Sequence, residues 1–349
     1  MTTSIQTPKP TKPWKPSPRE RLLDLSLIGS AFLASFLIVE FTELKGKLAY
    51  FTLFFLALAI LNFVKGAITR DVMIGKDQFF SAIMLLGMTL VILPSVSILF
   101  TVFERGRKGI HAGLFTNDMS MATPSDPITS GGLLHAIVGT ILLVSVALVL
   151  SLPIGILTAL YLTEIKGRFT RPIRFLVQAM SGVPSIVAGL FILSSIVYTV
   201  TKSYSGIMGS LALTILMIPT IARTAEEVLN LIPNDLREAG VALGGTQWRT
   251  VAMVVVPAAK SGLITAIILG VARIVGETAP ILLLTGGGDA VNLNPASGAM
   301  GSLPFYIWKS FLLGTEESIT RGWAGLLVLL VLVLSLFTVA RILGSRRSK

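Results

Sequence analysis

The stretch Ile232–Pro257, IPNDLREAGVALGGTQWRTVAMVVVP, is a polar, small-residue island in a strongly apolar chain. Pro233 and Asn234 end what precedes it, and Asp235 with Glu238 three residues on approximates the capping box that starts a helix. Gly244 and Gly245 stop that helix, Thr246 can cap a second short one through Trp248 and Arg249, and Pro257 closes the segment. The expected product is two helical pieces joined at a glycine pair. Ala239, Gly240, Ala242 and Gly244 give it a nearly bare backbone surface, suited to close docking of another protein. The stretch holds no catalytic constellation.

Around this island the chain of 349 residues is 53% hydrophobic and only 13% charged, the composition of an all-α polytopic membrane protein. Cysteine is absent and the histidines are two, His111 and His135. Thiolate and multi-histidine metal sites, cysteine nucleophiles and disulfides are thereby excluded, and no metal or cofactor is expected. The net charge of +11 concentrates in alternate loops, as the positive-inside rule requires, so nucleic acid is not needed to explain it.

In chain order, residues 1–21 form a basic, proline-rich tail of disordered composition. Apolar runs then predict spans at Leu22–Phe41, Leu48–Val64, Phe79–Phe103 with Pro94 inside, Leu133–Leu162, Ile173–Val200, Gly206–Ala222, Ser261–Thr285 and Gly322–Leu343. The first is too long for a signal-peptide core and is expected to be retained. Lys65, Arg70 and Lys76, then Lys166, Arg168, Arg171 and Arg174, then Arg346, Arg347 and Lys349 mark inner loops, and the polar stretch Glu104–Gly132 is external. About eight spans place both termini and the island on the cytoplasmic side.

Glu238-Ala239-Gly240, three residues, Gly244, nine residues, Val254 and then Val256-Pro257 resembles the EAA coupling loop of bacterial ABC import permeases. Gly240 stands for the second alanine, and Val254 and Val256 for isoleucine and leucine. The resemblance implies a MetI-like permease core whose cytoplasmic loop sits in a groove of an ATPase subunit, with Glu238, Ala239, Gly240, Gly244 and Pro257 carrying the coupling. No second such loop and no G-x-x-x-x-G-K-[ST] occurs. The chain is therefore expected to bind no ATP, to be no enzyme itself, and to work beside another permease chain.

Gly182-Val183-Pro184-Ser185-Ile186-Val187 and Gly189-Leu190-Phe191 resemble a stretch of phosphate permeases of the Pst system. Physically, Pro184 removes one backbone donor, and Ser181 and Ser185 can satisfy freed groups or line a wet path; an ordinary proline kink accounts for the same residues. Arg273-Ile274-Val275-Gly276-Glu277-Thr278-Ala279-Pro280 resembles the R-x-x-GETAP stretch of PstA-type subunits. Arg273 lies about twelve residues, or about 18 Å, into its span, where an arginine costs about 2.5–3.5 kcal/mol without a partner or a water-filled cavity. Glu277 at i+4 is the expected partner. The two form either an anion site, with the planar guanidinium fork matching a tetrahedral oxyanion, or an ion pair that fixes packing. Arg223, four residues after Pro219, matches an arginine the resemblance implies in transport, and a positive-inside anchor fits it equally. Gly286-Gly287-Gly288 is an anion nest or an external loop. Ser297 with His111 and His135 does not make a serine protease, because no glycine stands two before Ser297.

The expected domains are the tail 1–21, a two-helix extension 22–78 and a permease domain 79–349 with core 133–343 and coupling loop 223–260. The resemblance implies a permease subunit of an ATP-driven phosphate importer in the bacterial inner (plasma) membrane, surrounded by lipid. Implied partners are a PstB-type ATPase, a PstC-type second permease, a PstS-type phosphate-binding protein and inorganic phosphate. A permease for another oxyanion, or a membrane subunit with mainly a phosphate-sensing role, fits the same residues.

Overall fold

The computed structural model describes residues 18–42, 46–69 and 71–345. Residues 1–17 of the expected tail lie outside them, as do Glu43, Lys45, Arg70, Arg346, Arg347 and Lys349. The described residues are helical, with one isolated β-bridge between Gly286 and Met300. Two compact units divide after Leu99, within the third helix.

The first unit contains α1 (Pro18–Phe41), α2 (Lys47–Thr69) and most of α3 (Val72–Gly106), which carries Pro94 inside. Each is an apolar run long enough to cross a bilayer, and the apolar window of α3 has no buried residue, as expected of side chains facing lipid. α1 and α2 pack together, with Lys65 ion-paired to Asp24. A Cβ on Gly66 would stand 2.6 Å from the Gly75 Cα, so small residues set the close passage from α2 to α3.

The second unit contains α4 (Leu134–Leu160), α5 (Thr170–Ser181), α6 (Ser185–Ile192) and α7 (Gly206–Asn230). The short pieces α8 (Asn234–Ala242), α9 (Gln247–Thr250) and α10 (Val256–Ala258) follow. Then come α11 (Lys260–Val275), α12 (Ala279–Leu284), α13 (Leu303–Leu313) and α14 (Glu316–Ser345). The central helix is α7, whose apolar window is 67% buried and which packs on α4, α5, α6, α11 and α12. One side chain organises that centre. Ile221 of α7 sits in two notches, since a Cβ on Gly155 of α4 or Gly270 of α11 would come within 2.8 Å of it. In lipid, where no hydrophobic force drives helices together, such small-residue notches provide the packing.

Six helices are single candidate spans, and two bent pairs bring the total to eight if each crosses once. One pair is the expected break after Ser181, where α5 and the helix from Ser185 to Thr201 meet at 103°. The other differs from expectation: Gln247–Ala258 and Lys260–Val275 bend by 73°, and the run expected to continue through Thr285 breaks again at Gly276–Thr278. Three π-helical segments, Tyr161–Ile165, Leu193–Thr201 and Val251–Val255, interrupt or end these helices.

The loops before α4 and on either side of α13 form a knot. Arg321, near the start of α14 and 3% exposed, donates to the carbonyls of Thr123, Pro124, Asp126, Pro127 and Ser130 at 2.8–3.3 Å. Lys309 of α13 pairs with Asp289, whose carbonyl accepts from the Met119 N–H, while the Asp118 carboxylate accepts from the Val291 N–H. The Ser120 hydroxyl holds the Asp118 carboxyl below its ordinary value, and the Thr123 N–H does the same for Asp126. Gly286 and Gly287 adopt positive φ with the Phe305 ring against Gly287, so this stretch is a packed loop. Ser297, His111 and His135 each have other neighbours: Asn294, the carbonyls of Gly109 and Gly131, and Tyr306.

Candidate functional site

Two helix breaks meet inside the second unit. Pro184 cannot donate to the turn before it, and the Met180 carbonyl accepts instead from the Val183 N–H at 3.2 Å while Ser181 Oγ donates to Val177 at 2.9 Å. Pro184 caps α6, which begins at Ser185, with an extended ψ of 139°. Across from it, Gly276 ends α11 and Pro280 sits in the first turn of α12. A Cβ on Gly189 would stand 2.9 Å from the Pro280 Cα, so α6 and α12 touch backbone to backbone. Irregular backbone at membrane depth is tolerated only where protein or water covers it, and each break here helps cover the other.

Arg273 occupies the last turn of α11 and is exposed; its Nη1 donates to Thr220 Oγ1 of α7 at 2.9 Å. The expected pair with Glu277 is not made, with no ion pair within 4.0 Å. The reason is local: α11 stops at Gly276, so Glu277 lies past the helix and loses the i,i+4 register. Thr220 is 14 residues from the start of α7 and 10 from its end, about 21 and 15 Å, which puts the Arg273 hydrogen bond in the middle third of that helix. Arg223, also exposed, is three residues beyond Thr220 on the same face. Two guanidiniums without an ion-paired carboxylate among the described residues thus share one face of the α7–α11 pair. Left in lipid, each costs about 2.5–3.5 kcal/mol, so that face requires water or another chain.

The hairpin of α8 and α9 forms as its sequence dictates, with two differences. α8 starts at Asn234 behind Pro233, leaving Asp235 in the first turn without a capping hydrogen bond. Gly244 closes it at φ +81°, where the Gly245 N–H reaches the Gly240 carbonyl in a Schellman-like bond at 3.2 Å. Thr246 caps α9 by accepting from the Arg249 N–H. Gly240, however, faces inward, because a Cβ there would stand 2.5 Å from Thr250 Cγ2. The surface is not bare: Leu243 is 90% exposed and Trp248 70%, with Val241 and Met253 beside them. Glu238, Ala239 and Pro257 are also exposed.

Arg237 and Glu164 are the residues that sequence reasoning missed. Arg237 Nε donates to both Glu164 carboxylate oxygens at 3.2 and 3.0 Å and Nη2 to Oε1 at 2.8 Å, while Nη1 and Nη2 reach the carbonyls of Ile232 and Leu229 at 2.6 and 2.9 Å. The Glu164 carboxylate raises the guanidinium's pKa above its ordinary value, with burial acting the other way. Gln247 Nε2 donates to the Glu164 carbonyl at 2.6 Å, and Arg174 ties α5 to Glu226 of α7 at 2.7 Å. Adjacency of Arg237 to Glu238 was the one available signal, since Glu164 is 73 residues away.

Apolar spans with broken helices, arginines inside the helix bundle and a hairpin with an exposed apolar face define a membrane permease. Residues 151–349 match the family described as binding-protein-dependent transport system inner membrane component. The chain is 36% identical over 279 residues to the phosphate transport system permease protein PstA 1 of Mycobacterium tuberculosis (strain ATCC 25618 / H37Rv), covering 78% of this chain and 90% of that protein. It is 40% identical over 257 residues to PstA of Pasteurella multocida (strain Pm70), covering 72% and 88%. A chain of the inward-facing MetNI methionine ABC transporter overlays with TM-score 0.49 and 23% identity, covering 60% of this chain and 92% of that one. The chain belongs to the inner-membrane permease family and, within it, to the PstA phosphate transport system permease proteins.

Proposed function

We propose that the chain is one half of a heterodimeric permease importing inorganic phosphate, with the substrate path along the face bearing Arg223 and Arg273. The observation that carries the reading is the pair of guanidiniums without ion-paired carboxylates at membrane depth. A planar fork suits the oxygens of a tetrahedral anion, and the names of the relatives support phosphate as that anion. Glu277, Ser181, Pro184 and Ser185 line the two breaks beside the path. A PstC-type chain covers the opposite side, and a PstS-type protein delivers phosphate to the external knot. The hairpin, through Glu238, Ala239, Gly240, Gly244 and Pro257 with Leu243 and Trp248 at its tip, seats a PstB-type ATPase that supplies all ATP hydrolysis. Hairpin and both termini are cytoplasmic in a bacterial plasma membrane, and the first two helices extend a permease domain that begins near residue 79. The test is reconstitution of all four components in proteoliposomes. Uptake of labelled phosphate should need ATP and the binding protein and resist excess sulfate. Sulfate uptake that outcompetes phosphate would reassign the substrate, and phosphate binding without uptake would favour a sensing role.

A further inference from the structure

The Arg237–Glu164 contact joins three elements at one guanidinium. Glu164 lies in the π-helical turn that ends α4, closed by Lys166 at φ +50°, and its side chain is 6% exposed. The carbonyls of Leu229 and Ile232 lie at and just past the end of α7; the first also accepts from the Ile232 N–H in the cap turn, and a cation there meets the negative end of the helix dipole. Arg237 itself belongs to α8. Glu164 further holds the second piece of the hairpin, since its own carbonyl takes the Gln247 amide. Leu243 and Trp248, by contrast, are left open to solvent. The hairpin thus has one exposed apolar face and one polar face fastened to the ends of α4 and α7.

Apolar contacts slide at little cost, whereas a forked guanidinium held by a carboxylate and two carbonyls resists displacement in several directions. The helix so fastened carries Thr220, the Arg273 acceptor, nine residues before Leu229, about 14 Å along α7. We propose that the Arg237–Glu164 pair is the joint that passes movement of the hairpin to α4 and α7, and that Arg237 is a positioning residue for transport that touches neither substrate nor ATPase. The proposal rests on the importer reading given above.

The test uses the complete importer in proteoliposomes with Arg237→Gln, Glu164→Gln, Arg237→Lys and Gln247→Ala, reading ATPase subunit retained on purification, basal ATP hydrolysis, and labelled phosphate moved per ATP. Both Gln variants should keep the ATPase and basal hydrolysis, with phosphate per ATP falling at least tenfold and the apparent KM for phosphate-loaded binding protein unchanged. Arg237→Lys, which keeps the charge and loses the fork, should fall between. The double Gln variant should lose no more than either single one, because both act through one contact. Phosphate per ATP within twofold of wild type in the Gln variants overturns the proposal, and so does loss of the ATPase subunit, which makes the pair a docking element. If the Gln variants do not accumulate, Arg237→Lys and Gln247→Ala decide it: coupling unchanged in both overturns it. A wild-type importer that moves another anion overturns the phosphate reading alone, and the same ratio measured with that anion still tests the joint.

Discussion

Replacing Arg273 by glutamine separates a substrate-facing arginine from a structural one, and the geometry sets the size of each effect. Among the described residues the guanidinium makes one hydrogen bond, to Thr220 Oγ1 at 2.9 Å, and it is exposed. Losing a bond of a charged donor to a neutral acceptor costs about 1.5–3 kcal/mol at most, and removing a charge at membrane depth returns about 2.5–3.5 kcal/mol where that charge lacks a wet surround. The two offset, so Arg273→Gln should accumulate in membranes within about twofold of wild type. Transport loses the charge-assisted bond to the anion, again about 1.5–3 kcal/mol, which at 1.36 kcal/mol per decade is a ten- to 150-fold fall in uptake rate. Thr220→Val frees the guanidinium without removing it and should cost about two- to tenfold, the worth of one ordinary hydrogen bond. Glu277→Gln should not rescue Arg273→Gln, since no ion pair joins them. The assay is initial-rate uptake of labelled phosphate, normalised to membrane level by immunoblot. Arg273→Gln with more than half of wild-type uptake, or restored assembly when Glu277→Gln is added to a poorly assembling Arg273→Gln, refutes the reasoning.

Gly240→Val should drive α8 from α9 at a cost of about 1–3 kcal/mol and reduce co-purified ATPase, and Thr250→Ala in the same chain should recover it by removing the clashing Cγ2; failure of that rescue disproves the inward contact. Gly244→Ala meets nothing within 4 Å and should cost only the left-handed backbone penalty, about 1–2 kcal/mol, read as a modest loss of the same complex. In this cysteine-free chain, Met121→Cys should react with an impermeant thiol reagent in intact cells and Leu243→Cys only in inverted vesicles; reversed labelling inverts the topology. Arg321→Gln should raise amide exchange across residues 116–132 by at least tenfold, and unchanged exchange would show that the carbonyl cage is not what holds the loop. Asp118 and Asp126 both have folded-state pKa values below the ordinary 3.8, so their contribution is intact above that value and is lost as pH falls through the depressed ones; protection of the same loop, taken relative to intrinsic amide exchange at each pH, should be flat from pH 7.5 to 5 and fall only below about 4.

What could be read without coordinates followed the range of the forces involved. Spans such as α4, α7 and α14 declare themselves because about twenty apolar residues in a row have one physical outcome. The break after Ser181 was legible because Pro184 removes a donor at a fixed place. The break at Gly276–Thr278 was hidden in an otherwise apolar run, and with it went the true neighbour of Arg273, a threonine 53 residues upstream. α13 has 11 residues, too few to span, and so no apolar run of spanning length marks it. Gly240 looked like open surface because its conflict with Thr250 arises only once the glycine pair folds the two pieces together. Arg237 carried no mark of its partner, because nothing at position 164 announces a contact made by the far end of α4.

The carbonyl cage around Arg321 also fixes an order of events. The carbonyls it gathers precede it by 191–198 residues, and at about 5–20 residues per second the ribosome needs roughly 10–40 seconds to make that interval. Throughout that time the loop 123–130 has been synthesised without the side chain that gathers it. That loop therefore sets only after the start of α14 has been made, and a chain stopped before α14 leaves its carbonyls without the side chain that gathers them.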